Sequence, residues 1–219
     1  MSSPTPGCIP TPAGDVSIVV DGPASDRMVV LAHGAGADLN SDFMATMARH
    51  LVDHGLGVCR FNFSYMEKGK RAPDRGPVLE DTYAAVAAFL VGELQPEKLI
   101  LGGKSMGGRI ASQIVAAGQR AEGLVFFGYP MHPPGRPERM RDAHLRDVGA
   151  PMLFVTGTRD SFCPIDTLEA VRKKLPGPTE VVVVSDGDHS LKVRASSGRS
   201  TAVAWAEAAS AASTWIKAL

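Results

Sequence analysis

The segment Leu101-Gly102-Gly103-Lys104-Ser105-Met106-Gly107-Gly108 sets one serine between glycines two positions away on either side. Between a strand and a helix, this G-x-S-x-G pattern makes a nucleophile elbow. The serine sits on a strained turn that projects its hydroxyl, and the turn crowds strand and helix so closely that the flanking residues must be small. Three further loops carry residues suited to the same chemistry. Ala32-His33-Gly34-Ala35-Gly36-Ala37-Asp38-Leu39 follows an apolar run and offers backbone amides. The amide of Ala35, with Gly36 as its alternative, would join that of Met106 in an oxyanion hole. Thr156-Gly157-Thr158-Arg159-Asp160 supplies a carboxylate, and Asp186-Gly187-Asp188-His189-Ser190 supplies an imidazole. Ser105 would attack a carbonyl while His189 takes its proton and Asp160 holds the histidine tautomer. Asp186 and Asp188 are nearer to His189 in sequence. An immediate neighbour rarely turns its carboxylate back on its own histidine, and an Asp- and Gly-rich turn accounts for both. His33 reads as a packing residue and not as a base.

Two phosphate-binding alternatives each fail on one residue. Gly103-Lys104-Ser105 resembles the end of a Walker A loop, but that loop needs glycine where Lys98 stands. The glycines after Ala32 resemble a dinucleotide fingerprint, but its third glycine would fall at Leu39. The mechanism above calls for no metal and no organic cofactor.

These loops need rigid elements behind them. Strand-length apolar runs occur at Val16 to Val20, Met28 to Ala32, Gly57 to Phe63, Lys98 to Gly102, Gly123 to Phe127, Met152 to Thr156 and Glu180 to Val184. Most are apolar at every position, as parallel strands covered on both faces must be. Helical spacing lies between them: Phe43, Met47 and Leu51; Leu79, Tyr83, Val86 and Leu90; Met106, Ile110 and Ile114; Leu168, Val171 and Leu175; and the Ala-rich tail from Thr201 to Leu219. The alternation predicts an α/β fold, a doubly wound and mostly parallel sheet of about seven strands with helices on both faces. Residues 1–219 read as a single domain without a cap. Each candidate loop then falls at the carboxyl end of a strand, where such sheets bind ligands.

Composition excludes other classes. Twenty-three Lys and Arg balance 23 Asp and Glu, so no global field draws in nucleic acid or an anionic membrane. No apolar run approaches the roughly 18 residues of a membrane span, and Met1 to Pro12 lacks the marks of a secretory signal. Cys8, Cys59 and Cys163 fit neither a disulfide framework nor a zinc site. A cytoplasmic protein acting on a small-molecule acyl substrate is the expectation.

The order Ser105, Asp160, His189 is that of the α/β-hydrolase triad, and the chain resembles that superfamily over nearly its full length. It is similar to the small, cap-less dienelactone-hydrolase-like branch. Leu31 to Phe43, Arg60 to Tyr65, Pro73-Asp74-Arg75, Tyr129 to Gly135 and Gly157 to Phe162 resemble a group of small bacterial hydrolases related to the α/β domain of the testis-expressed and NSL-complex subunit proteins. Dienelactone hydrolases carry cysteine where Ser105 stands, so lactone specificity does not follow. The resemblance implies the fold and the triad; the chemistry of Ser105, His189 and Asp160 points to a serine hydrolase of an ester, thioester or similar activated acyl bond. The alternatives are a non-catalytic interaction module and a small serine peptidase.

Weaker candidates remain. Lys68, Lys70, Arg71 and Arg75 form a basic loop that would greet an anionic group or simply lie in solvent. His132, Arg136, Arg139 and His144 lie in a Pro-rich stretch that overhangs the site, without metal-ligand spacing. Cys163 reads as a buried, inert thiol or as a reactive one near the site.

Overall fold

Along β3 (Arg27–Ala32), Met28, Val30 and Ala32 enter one apolar layer while Val29 and Leu31 enter another. The same alternation runs through β5 (Lys98–Lys104), β6 (Gly123–Phe127) and β7 (Met152–Gly157). Both faces of these strands are therefore dry, which is why their sequences show no polar period. The computed structural model describes residues 4–23 and 25–219, so the first three residues of the Met1–Pro12 stretch lie outside the described residues.

The remaining strands are β1 (Thr5–Ile9), β2 (Val16–Asp21), β4 (Gly57–Phe61) and β8 (Thr179–Val184). They form one eight-stranded sheet in the order β1-β2-β4-β3-β5-β6-β7-β8. From β4 to β8 all pairings are parallel, whereas β2 runs antiparallel to both β1 and β4. The sheet thus has one strand more than the sequence predicts. β1 has only Ile9 buried, so no hydrophobic pattern marks it. It is held by its antiparallel pairing with β2, turned at Gly14 with φ 108°.

Helices α1 (Asp42–Asp53) and α6 (Thr201–Ala218) cover one face. Helices α3 (Gly76–Leu94), α4 (Met106–Ala116) and α5 (Ile165–Arg172) cover the other. The predicted strand Gly57 to Phe63 ends at Phe61 because the chain turns into the short α2 (Ser64–Glu67). Leu175 lies beyond the end of α5. Among the described residues, the connection from β6 to β7 holds a single 3₁₀ turn, Ala143–Asp147, and no α-helix. No cap domain is built there. No helix of the described residues is long and apolar enough to cross a membrane.

Strand order reverses between β3 and β5: the chain leaves β3 through α1 toward β4, and leaves β5 through α4 toward β6. A crevice opens at such a switch point, beyond the carboxyl ends of the strands. Ser105 stands there.

Candidate functional site

Ser105 joins β5 to α4 with φ 51° and ψ −113°, a left-handed backbone that a side chain adopts only under strain. The glycines around it have a common cause. A Cβ on either Gly103 or Gly107 would collide with the carbonyl oxygen of Ala32 at the end of β3. Gly103 is therefore needed for the approach of β5 to β3, and Gly107 for the approach of α4 to β3. The serine amide is anchored across the sheet by donating to Phe127 O at 3.1 Å.

The other two loops converge on this hydroxyl. Gly157, ending β7, and Gly187, after β8, approach so closely that a Cβ on Gly157 would enter the Gly187 peptide. That contact brings the Asp160 and His189 loops together. The Ser105 hydroxyl lies 2.8 Å from His189 Nε2, and His189 Nδ1 lies 2.9 and 3.0 Å from the two carboxylate oxygens of Asp160. Nδ1–H donates to the carboxylate, leaving Nε2 free to accept from serine. The Asp160 side chain is fully buried, while that of His189 is 21% exposed. Asp160 Oδ1 also accepts from the Phe162 amide at 2.9 Å, and the Phe162 ring lies 4.5 Å from the imidazole.

The imidazole is held from behind as well. Lys104 Nζ donates to the His189 carbonyl at 2.7 Å, and Trp205 Nε1 donates to the Ser190 carbonyl at 2.9 Å. Gly128, at φ 66°, gives the His189 carbonyl its space. Lys104 is 9% exposed and has no carboxylate partner within ion-pair distance among the described residues. Burial lowers its amine to about 8, against the opposing pull of Asp160 and Asp188.

The two acids closest in sequence to His189 are engaged elsewhere. Asp186 pairs with Arg194 and Arg159, and Asp188 Oδ1 accepts from the Ser190 and Lys192 amides at 2.7 and 2.9 Å. A second serine–histidine contact, Ser112 Oγ to His144 Nε2 at 2.8 Å, is internal to the packing. Ser112 is 0% exposed, bonds back to Arg109 O within α4 and meets Tyr129. Burial lowers His144, and that pair does not line the cavity over Ser105.

The loop after β3 is clamped at two points. His33 is buried; its Nδ1–H donates to Gly34 O at 2.8 Å and its Nε2 accepts from the Phe63 amide at 3.1 Å. That pattern requires the neutral ring, and burial lowers its value accordingly. Further along, the Leu39 carbonyl accepts from Arg60, which makes a bidentate buried pair with Asp21 at 2.7 and 2.9 Å, and the Leu39 amide donates to Asn62. Ala35 thus lies on a fixed loop. The Met106 amide, first in α4, has no partner in a preceding turn. Both residues line the cavity with Ser105.

That cavity, of about 750 Å³, also takes in Phe43, Phe162 and Trp205. The basic side chains of the Lys68 to Arg75 loop do not line it; Pro73, Asp74 and Gly76 do. Lys68 instead donates to Ala13 O at 2.8 Å. Of the Pro-rich stretch, His132 and Pro134 reach the cavity, while Arg136 and Arg139 are exposed outside it. The Cys163 thiol is buried and pushed up to about 12, which makes it a poor nucleophile. Among the described residues, no three His, Cys, Asp or Glu side chains converge to hold a metal ion. Sequence reading misses Lys104, Arg109 and Arg141 as cavity residues; Arg109, one helical turn from Ser105, is the one that spacing reveals.

Comparison with known proteins agrees with this architecture. The protein is 22% identical to an alpha-beta serine hydrolase homologue from Coxiella burnetii, with TM-score 0.76 over 95% of this chain and 97% of that one. It superposes on an a/b serine hydrolase without lid from Xanthomonas campestris with 19% identity and TM-score 0.76, covering 98% and 96%. A dienelactone hydrolase from Anabaena variabilis gives 19% identity and TM-score 0.77, covering 99% and 98%. At these identities the likeness is one of fold. Among curated proteins, the uncharacterized protein YfhR of Escherichia coli K12 is 23% identical over 186 residues, 77% of this chain and 65% of the relative's own length. The family model described as alpha/beta hydrolase domain matches residues 25–217, nearly the whole chain, and the protein therefore belongs to the α/β-hydrolase family.

Proposed function

We propose that the protein is a serine hydrolase that cleaves an ester, thioester or similarly activated acyl bond of a small substrate, in the cytoplasm, through an acyl-enzyme. The observation that carries this reading is the unbroken chain of contacts from Ser105 through His189 to the buried Asp160, at the floor of an open cavity. Ser105 Oγ attacks the carbonyl carbon as its proton passes to His189 Nε2, and Asp160 stabilises the imidazolium. The amides of Ala35 and Met106 bind the oxyanion. The tetrahedral intermediate collapses, and the leaving alcohol or thiol takes the proton from Nε2. A water then gives a proton to Nε2 and attacks the acyl carbon. Ser105 recovers that proton, and the acid product departs.

The absence of α-helices between β6 and β7 among the described residues supports a preference for short acyl groups. Isolated short segments do not form a lid that buries a long chain from water. A series of p-nitrophenyl esters from acetate to palmitate tests this. The expected result is a kcat/KM maximum at about four carbons or fewer, with no jump at the micellar concentration, because among the described residues the β6–β7 connection holds no α-helix to close over the cavity. A rate that climbs steadily to palmitate contradicts it.

A further inference from the structure

The cavity over Ser105 holds more positive charge than negative: Lys104, Arg109, Arg141 and Lys192 line it against Asp42 and Asp74. Lys104 is tied to the His189 carbonyl and Lys192 is exposed. The two arginines differ from both. Arg109 follows Ser105 by one turn of α4, its amide donating to Ser105 O at 3.1 Å. Its Nη1 donates to Gln113 at 2.7 Å, but its Nε is buried with no partner. Arg141 approaches from the β6–β7 connection, where its backbone is fixed: its amide donates to Met131 O at 2.7 Å and its carbonyl accepts from Tyr129 at 3.1 Å. Its guanidinium makes no side-chain hydrogen bond among the described residues, and neither arginine forms an ion pair there. Asp42 and Asp74 leave both unpaired.

Arg109 and Arg141 thus line one cavity with no carboxylate within ion-pair distance of either, although Asp74 Oδ2 is itself buried there without a partner, and like charges sharing a partly buried wall carry a cost that a counter-charge relieves. Burial and the Arg141 charge accordingly hold Arg109 below its ordinary value, with Tyr129 and Glu80 pulling the other way. A bound oxyanion would relieve the repulsion and fill the fork-shaped donor sets.

We propose that Arg109 and Arg141 form an oxyanion subsite, so that the substrate cleaved at Ser105 carries a carboxylate or phosphate-type group. One turn of helix separates the Ser105 and Arg109 backbones by about 5 to 6 Å along α4, which suits a substrate whose anionic group lies a few carbons from the scissile carbonyl. The proposal rests on the hydrolase reading above and names its substrate class.

Matched pairs of esters test it. In the acyl arm, the p-nitrophenyl monoester of glutarate is compared with p-nitrophenyl valerate. In the leaving-group arm, the butyrate ester of 4-hydroxybenzoate is compared with that of its methyl ester. The expected result is a preference of about tenfold or more for the anionic member in one arm, weakening with salt. Arg109→Gln and Arg141→Gln should each reduce that preference by about tenfold, while Arg136→Gln, outside the cavity, retains it. A preference at or below one in both arms, or one indifferent to both substitutions, overturns the subsite and leaves the hydrolase reading standing. If no ester turns over, the hydrolase reading fails instead, and calorimetric titration of glutarate into the wild-type protein decides the subsite. Saturable binding weakened by Arg109→Gln supports it; the absence of such binding overturns it.

Discussion

Replacing Lys104 by methionine removes a buried ammonium but keeps most of the volume of its stem. In the folded protein the amine is lowered by burial from an ordinary value of 10.5 to about 8. The unfolded chain therefore binds this proton more tightly. Between about pH 8 and 10.5 the unfolded state holds more protons, and stability rises with pH. At 1.36 kcal/mol per pH unit, that window corresponds to about 3 kcal/mol. The wild-type protein carries the full cost at neutral pH and sheds it by pH 10.5, whereas Lys104→Met carries none. Urea titrations of both proteins at intervals from pH 7 to 10.5 give the difference directly. The thiols of Cys59 and Cys163, each raised to about 12, act in the opposite sense but cancel between the two proteins. Relative to the variant, the wild-type should gain about 3 kcal/mol across the window. The variant should also lose about tenfold or more in kcat, because the His189 carbonyl no longer has a donor to fix it. A stability difference that stays flat or falls with pH would refute the burial argument, and an undiminished kcat would refute the positioning one.

Two further substitutions address the rest of the site. Asp160→Asn keeps an acceptor for the Phe162 amide but offers the wrong partner to His189 Nδ1, so kcat should fall about 10³- to 10⁴-fold with little change in melting temperature. Asp186→Asn, which breaks only the pairing with Arg194 and Arg159, should leave kcat within about twofold by the same assay. His33 is lowered by burial, so the unfolded chain takes up its proton first and stability falls as pH drops below the ordinary value of 6.5. His33→Gln, which can still bridge Gly34 O and the Phe63 amide, should flatten that acid limb in melting curves from pH 7 to 4.5.

The central strands were readable because burial on both faces leaves an unbroken apolar run, as in Met152 to Gly157. β1 was not, since its residues are exposed except for Ile9 and its place depends on pairing with β2. The elbow was legible because Gly103 and Gly107 answer to one steric demand, the Ala32 carbonyl, that no other residue type meets. Lys104 was not: a lysine beside a serine gives no sign that its amine will turn back to a carbonyl 85 residues away in sequence. Nor did the basic residues between Lys68 and Arg75 show that their segment would present Asp74 to the cavity. Two of the charges that do line it, Arg109 and Arg141, come from a helix and an irregular connection whose meeting only the tertiary fold decides.

Every step proposed at this site runs through Ser105 as the nucleophile. Reaction of the protein with a fluorophosphonate, followed by mass spectrometry of the digested adduct, tests it in one step. The expected product is a single phosphonyl group per chain on Ser105, abolished in Ser105→Ala together with esterase turnover, and retained in Ser112→Ala. An adduct on Ser112 or any other residue, or labelling and turnover that survive Ser105→Ala, would contradict it.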